Sequence, residues 1–563
     1  MVGSIPNSRA IADVYSAHPE KKVTLYFIVT GFVALLVGAL LGPFQAFNYA
    51  GINLYGILKP LIRSYYQGLT IHGVLNAIVF TSFVITGLMY YLPIRELKVK
   101  ANLTYMWINY GVMVAGLLIA ALGILANTSN VLYTFYPPLQ GHWSFYIGAA
   151  LIVVGSIMPL FELLRLRSKW KREHSGAVTP IVTYMSLMTL LMWTLASVGI
   201  VTEVVWFLIP WSLGLREGVD PLLSRTLFWF TAHPIVYYWL LPAYISWYAL
   251  VPKQAGGELV SDSLARLAFV MFLLFSTPVG FHHQFTDPGV PAAWKMIHSM
   301  LTMFVGIPSM LTAFTVAGSL EYGGRLRGGK GVLGWIGKLP WGNASFTAQI
   351  LAMLSFIVGG AGGIVNASFS LNPLIHKTAW IPGHFHTKVG TATTLTFMGM
   401  TFWLIPHLTR KKLYSNTLAL AASWFWFIGM MVFALGMHWQ GLLSVPRRAF
   451  ISGMAENLKN LYADAATPQF ITGISGVLLL IAIILYWTVL FATLLAKERV
   501  DEGQEPKIPF VTSREMRSEG TLKLLDNLLF WFIMAVIIVL VAYLPSLITM
   551  FSNQIPVPGL KPW

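Results

Sequence analysis

An all-α polytopic membrane protein of about thirteen transmembrane helices is predicted from three observations: a mean hydropathy of +0.68, a charged fraction of only 10%, and apolar runs that recur along the whole length. Runs of about 20 apolar residues cross a ~30 Å hydrocarbon core as helices, the form that satisfies every backbone group internally. No cysteine occurs, which excludes disulfides, iron–sulfur clusters and thiolate metal sites within the chain. The formal charge of +16 is carried between the apolar runs, a pattern of membrane topology rather than of nucleic-acid binding.

With Gly, Pro and charge clusters as stops, thirteen spans fall at about 22–43, 68–93, 104–126, 143–165, 181–210, 225–250, 264–285, 295–320, 345–368, 380–406, 417–443, 469–496 and 526–550. Residues 1–21 are polar and lack the apolar core and cleavage site of a removable leader, so the first span is expected to be retained. Placing the N-terminus inside puts 26 of the 37 Lys and Arg on the inner side and ten on the outer, with Lys388 inside a span. That bias predicts N-in, C-out. The chain reads as one transmembrane unit over 1–563, with an inner tail at 1–21 and basic inner loops at 321–344 and 497–525. The Gly-rich run Gly323–Lys330 lacks the spacing of a phosphate-binding loop and follows no strand.

Of thirteen histidines, His18, His174 and His407 fall in loops or tails and His142 at a span edge, where solvated or interfacial roles are expected. His72, His233, His282, His283, His384 and His386 lie inside apolar spans, where a polar side chain is costly and usually functional. Spans two, six and ten run inward and carry theirs near the start. Span seven runs outward and carries His282 and His283 near its end. All six therefore share one depth, in the outer third of the membrane. Imidazoles without thiolates suit haem iron and copper better than oxygen-seeking magnesium or calcium.

Spacing then divides the set. His282 and His283 are adjacent at a helix end, and His233, before Pro234, can join them in a three-histidine copper site with an open position. His384 and His386, two apart at about 100° per residue, face opposite sides of span ten and cannot easily share a metal. With His72 they make one bis-histidine haem and one singly ligated haem. Tyr237, four residues after His233, lies on the same helical face, where its phenol can give a proton and an electron to a metal-bound substrate.

Further inward, Tyr244 and Tyr248 on span six and Ser309, Thr312 and Thr315 on span eight form hydroxyl stripes suited to relaying protons or to plain helix contact. Glu203 is a carboxylate deep in span five, and Arg447 and Arg448 follow span eleven at the level of the histidines, where paired guanidinium groups suit haem propionates. His298 and His438 are assigned to packing or hydrogen bonding.

The motifs Thr231-Ala-His233-Pro-Ile-Val-Tyr237, Phe281-His-His283, Gly383-His-Phe-His386 and Val445-Pro-Arg-Arg448, with His72, resemble subunit I of the haem–copper oxygen reductases, in that family's order and over most of the chain. The resemblance implies His72 and His386 on a low-spin haem of b type, His384 on a high-spin haem of a or o type, and His233, His282 and His283 on copper, with Tyr237 covalently joined to His233. Ile235 stands where the common form has glutamate, and Thr312 where it has lysine. With the thirteenth span, these departures resemble the B type and make the hydroxyl relay its expected proton path. His376 matches the family's histidine near the propionates, but Lys377 replaces the usual aspartate, so a magnesium site is not expected and Asn372 and His376 become candidates for proton exit.

The implied function is reduction of O2 to water by the catalytic subunit of a proton-pumping cytochrome c oxidase, in a prokaryotic cell membrane. Its partners would be a subunit II with a dinuclear copper centre, small membrane subunits and cytochrome c. A quinol oxidase with a quinol-binding counterpart subunit, a nitric oxide reductase and, from another class, a secondary transporter are the rivals.

Overall fold

The computed structural model describes residues 14–455, 458, 460–501, 503–515 and 519–563; most of the tail predicted at 1–21 lies outside them. Among the described residues, ten helices are long and apolar enough to cross a membrane: Glu20–Tyr49, Tyr65–Leu97, Leu103–Leu125, Trp143–Glu173, Ile181–Ser212, Ala292–Leu326, Ala344–Ala367, Asn416–Leu442, Asn460–Leu495 and Leu528–Ser552. They correspond to all the predicted spans except six, seven and ten.

Those three carry five of the six intramembrane histidines, and each departs from a continuous apolar helix. Span six is Pro221–Ala232 followed by Pro234–Ala249, broken at His233. Pro234 has no N–H to continue the ladder and its ring crowds the preceding turn. Span seven was expected to be helical to 285, but its helix is Asp262–Phe275 and the chain re-forms as a 3-10 turn at Gly280–Gln284. Pro278 disfavours helical geometry at Thr277, which ends the helix early. Span ten joins Trp380–Phe385 and Thr394–Thr409 through a π-helical stretch, His386–Thr393, dense in polar residues.

Elsewhere local chemistry sets the helix starts. Ser64, Asp220, Ser261, Asn343, Ser415 and Asn527 each accept a hydrogen bond from the backbone N–H three residues on, satisfying a donor that the first turn leaves free. Asp220 is followed by Pro221, whose fixed φ suits the first helical position. The loops predicted to lie inside are partly ordered as helix: span eight continues to Leu326, a 3-10 turn covers Ile336–Lys338 and Glu519–Leu525 is a short helix. His407 was expected to be solvated. It is instead 5% exposed at the end of span ten, donating from Nδ1 to Pro506 O (2.6 Å) with Nε2 2.6 Å from the Tyr91 hydroxyl. The helix runs three residues past the predicted end at 406, which carries His407 inside.

Candidate metal and haem centre

His72 and His386 face each other from spans two and ten, with ring centroids 6.1 Å apart and planes 13° from parallel. His72 Nδ1 donates to Gly38 O (2.9 Å) and His386 Nδ1 to Pro382 O (2.7 Å). A carbonyl only accepts, so both Nδ1 atoms carry the proton and both Nε2 atoms are left as ligands. Two metal–nitrogen bonds of about 2 Å plus the ring radii fill roughly the observed gap. Both histidines adjoin a π-helical stretch, Val74–Phe80 in span two and His386–Thr393 in span ten. Such widened turns are concentrated at functional sites.

His233, His282 and His283 bring ligand atoms within 4.8 Å of one another, and among the described residues no carboxylate belongs to the group. His233 Nδ1 is 3.1 Å from His283 Nε2, so Nδ1 faces the group, while its Nε2 is 3.2 Å from the Tyr237 hydroxyl. The Thr302 hydroxyl donates to His298 O (2.6 Å) and therefore accepts from His282 Nδ1 (3.0 Å), which frees His282 Nε2. Trp229 stacks on His283 at 3.7 Å and 9°.

The turn that carries the adjacent pair is pinned from behind. Gly280 N donates to the Tyr543 hydroxyl (2.8 Å), Phe281 N to His298 Nδ1 (3.3 Å), and His298 Nε2 to Ala542 O (3.0 Å). A Cβ at Gly280 would lie 2.3 Å from the Tyr543 hydroxyl and 2.6 Å from Trp229 O, so only glycine permits this approach. Trp229, Thr302 and Tyr543 escaped the sequence reading, because Trp, Thr and Tyr are ordinary occupants of spans and only the fold brings them here. His298 has the hydrogen-bonding role expected of it.

His384 lies under the Trp380 ring (5.6 Å, 18°), and its buried Nδ1 has no partner. His438 also packs against Trp380, ring centroids 4.8 Å apart and planes 55° from parallel, its Nε2 likewise unpartnered. All six intramembrane histidines, with Tyr237, Arg447 and Arg448, line one cavity of about 680 Å³. Arg447 and Arg448 reach it because Ala379 N donates to Val445 O (2.7 Å) and Arg447 N to Lys377 O (2.9 Å), clamping their loop to the start of span ten. Arg448 is held over the Tyr133 ring (5.3 Å) and donates to Thr134 (3.0 Å). A parallel histidine pair, a separate three-histidine group, a buried ring nitrogen without a partner and two cations in one cavity fit two haems and a copper ion.

Of the hydroxyl stripe, Tyr248 donates to Thr312 (2.8 Å), which donates on to Pro308 O (2.8 Å). Ser309 donates to Val305 O (3.1 Å), whereas the buried Tyr244 and Thr315 hydroxyls have no protein partner. The five are neighbours without being one directly bonded chain. Glu203 starts a third π-helical stretch and accepts from Ser224 with one carboxylate oxygen, the other being unpartnered. Between spans nine and ten, His376 Nδ1 is 2.9 Å from Asn372 Oδ1, and Asn372 Nδ2 donates to Asn366 O (2.7 Å). Burial, then the cations Arg447, Lys377, Arg225 and Lys295, hold the His376 imidazole down to about 3.

The family model described as "Cytochrome C and Quinol oxidase polypeptide I" matches residues 22–467. Cytochrome c oxidase subunit 1 of Thermus thermophilus is 54% identical over 98% of this chain and 99% of its own length. The Synechocystis protein of that name is 26% identical over 56% of each chain. A solved heme–copper terminal oxidase dimer superimposes with a TM-score of 0.91 at 37% identity, covering 97% of this chain and 95% of that one. With Ile235 and Thr312 at the two diagnostic positions, the chain belongs to the cytochrome c and quinol oxidase polypeptide I family as a B-type subunit I, the catalytic subunit of a haem–copper terminal oxidase.

Proposed function

We propose that this subunit reduces O2 to water with electrons from cytochrome c, received through a partner subunit bearing a dinuclear copper centre, and that it moves protons across a prokaryotic cell membrane with its N-terminus inside. His72 and His386 would hold a b-type low-spin haem, His384 a high-spin haem of a or o type, and His233, His282 and His283 the copper ion. Small membrane subunits complete the assembly in this reading. Bound there, the high-spin haem and copper supply the coordination and electrons for splitting O2.

The chain's own residues do the rest. His384 and His386 stand on one helix, so the wall between the two haems is a single backbone turn. Tyr237, its hydroxyl 3.2 Å from His233 Nε2, gives a proton and an electron at the open side of the three-histidine group and is the partner for a covalent link to that ring. Protons enter along Thr315, Tyr248, Thr312, Ser309 and Tyr244, water bridging the unpartnered Thr315 and Tyr244 hydroxyls. Arg447 and Arg448 pair with haem propionates. His376 and Asn372 offer an exit, the imidazole taking a proton only when carboxylates offset the surrounding cations.

The observation that carries this reading is the pairing of a parallel bis-histidine site with a carboxylate-free three-histidine site in one cavity. A reduced-minus-oxidised optical spectrum with pyridine haemochrome and metal analysis tests it. Two haems and one copper per subunit are expected. Absence of haem bands removes the oxidase reading, and a third iron in place of copper turns it to nitric oxide reduction.

A further inference from the structure

Asn76 is a polar side chain inside span two that the proposed function leaves unused, although it lines the same cavity as His72. It follows His72 by four residues, one turn further along the same helical face, in the π-helical stretch Val74–Phe80. Its amide reaches His72 Nδ1 at 3.2 Å through the atom assigned as Nδ2, and Oδ1 is buried without a partner among the described residues. Gly38 makes room for that amide: a Cβ there would lie 2.3 Å from Oδ1 and 2.8 Å from Cγ.

The proton on His72 Nδ1 is already committed, because Gly38 O at 2.9 Å can only accept. An amide nitrogen only donates, so Nδ2 at 3.2 Å would set two donors against each other while the oxygen of the same amide went unused. Oxygen and nitrogen of a side-chain amide are told apart by the bonds they make. Exchanging them puts Oδ1 beside His72 Nδ1, where it shares the proton with Gly38 O, and leaves one unmatched end of the amide instead of two. Gly38 O, the closer acceptor, remains the group that orients the ring. An amide does not ionise, so it brings no charge to the site. The facing ring has no such neighbour: four residues after His386 stands Gly390, and His386 Nδ1 donates to Pro382 O (2.7 Å).

We propose that Asn76 is a tuning residue that acts through His72: its amide oxygen takes a share of the Nδ1 proton, makes the imidazole a stronger donor to the iron it holds, and so lowers the reduction potential of the low-spin haem. The inference rests on the assignment of His72 and His386 to that haem. A hydrogen bond from the outer nitrogen of a ligating histidine raises the basicity of the ligand. A more basic ligand favours the oxidised iron, which carries the larger positive charge, and hydrogen bonding around the axial ligands is one of the levers a protein has on haem potential.

Spectroelectrochemical titration of the purified holoenzyme tests this with Asn76→Leu, which keeps the size and loses the acceptor, and Asn76→Asp, which keeps an acceptor at the same reach. Asn76→Leu should shift the ratio of reduced to oxidised low-spin haem at fixed potential at least threefold toward reduced, about 28 mV at ~59 mV per tenfold change for one electron. Asn76→Asp should sit at or below the parent midpoint, and the high-spin haem should move by a smaller factor in both. A parent-like low-spin midpoint in Asn76→Leu overturns the inference. So does a midpoint in Asn76→Asp raised as far as in Asn76→Leu, which would assign the shift to repacking of the cavity. Haem content is read on the same samples. If Asn76→Leu is recovered without haem, Gly38→Ala decides: it crowds the amide from span one while keeping Gly38 O, and should raise the low-spin midpoint, a parent-like value again overturning the inference. A parent enzyme without a bis-histidine low-spin spectrum defeats the His72/His386 assignment itself, which is a different outcome from a low-spin haem that ignores position 76.

Discussion

The His72/His386 pair is oriented by main-chain carbonyls, Gly38 O and Pro382 O, whereas the His233/His282/His283 group is oriented by side chains: Trp229 on span six itself, and His298 with Thr302 and Tyr543 on two other spans. The first arrangement uses the carbonyls of the helical main chain, beside a π-helical stretch on each span, and holds its two rings 13° from parallel. The second is built on a proline break and a 3-10 turn, with the Tyr237 hydroxyl 3.2 Å from His233 Nε2. In the proposed reading, the site that passes electrons is held by backbone and the site that binds substrate by side chains that can be individually adjusted.

His386→Ala should break this contrast most severely, because it removes one cluster and spares the other. Low-spin haem absorbance should vanish while copper content stays at parental stoichiometry; loss of copper as well would show that the clusters are not independent. Tyr237→Phe should keep both haem spectra and the copper but lower O2 consumption by ~100-fold or more, the scale of a lost positioned proton donor. Near-parental turnover would take the redox role from that phenol. Thr302→Val should weaken copper retention about tenfold against a chelator with haem content unchanged, since removal of a group that orients a ligand costs ~10–100-fold in affinity. Equal retention would mean that Thr302 merely packs.

Smaller effects lie further out. Thr312→Val breaks the bond from Tyr248 and should slow turnover by about fivefold, equivalent to ~1 kcal/mol for one hydrogen bond, with full metal content. Asp526→Asn lies at the opposite end of the molecule and should leave every spectrum untouched. Burial pushes the Asp526 carboxyl up, but the Lys171 hydrogen bond (2.6 Å), with Thr179 and Arg167, more than offsets this and holds it below its ordinary value of 3.8. The stabilisation is therefore complete above that value and lost as pH falls through the lower folded pKa. Parent and variant should differ in thermal stability at neutral pH and converge in acid; a constant difference would point to packing rather than charge.

Much of this architecture was legible before any coordinates. The six histidines stand out because polar groups in apolar spans need a reason, and shared depth follows from alternating helix direction alone. The broken helices were half visible: Pro234 marked the interruption at His233, but a helix to 285 was expected because the apolar run continues past Pro278. The supporting residues were not legible. Thr302 and Tyr543 belong to spans eight and thirteen, and nothing in their own neighbourhoods distinguishes them from Thr and Tyr that only pack. The π-helical stretches after His72 and at His386 escape prediction because they depend on tertiary packing rather than on local residue preference. His407 was misplaced by a boundary error of a few residues, the weakest part of any hydropathy reading.

Tyr543 and Ala542 lie on Leu528–Ser552, with Tyr543 263 residues after Gly280, yet they hold the turn that carries His282 and His283. Synthesis of this chain therefore puts a time order on maturation. The helices bearing His72, His233, His384 and His386 are all in the membrane before the adjacent histidine pair gains its final support. In the proposed reading, copper delivery to this group would follow insertion of Leu528–Ser552, and a nascent or truncated chain ending before residue 542 would present the six histidines without the support of their adjacent pair.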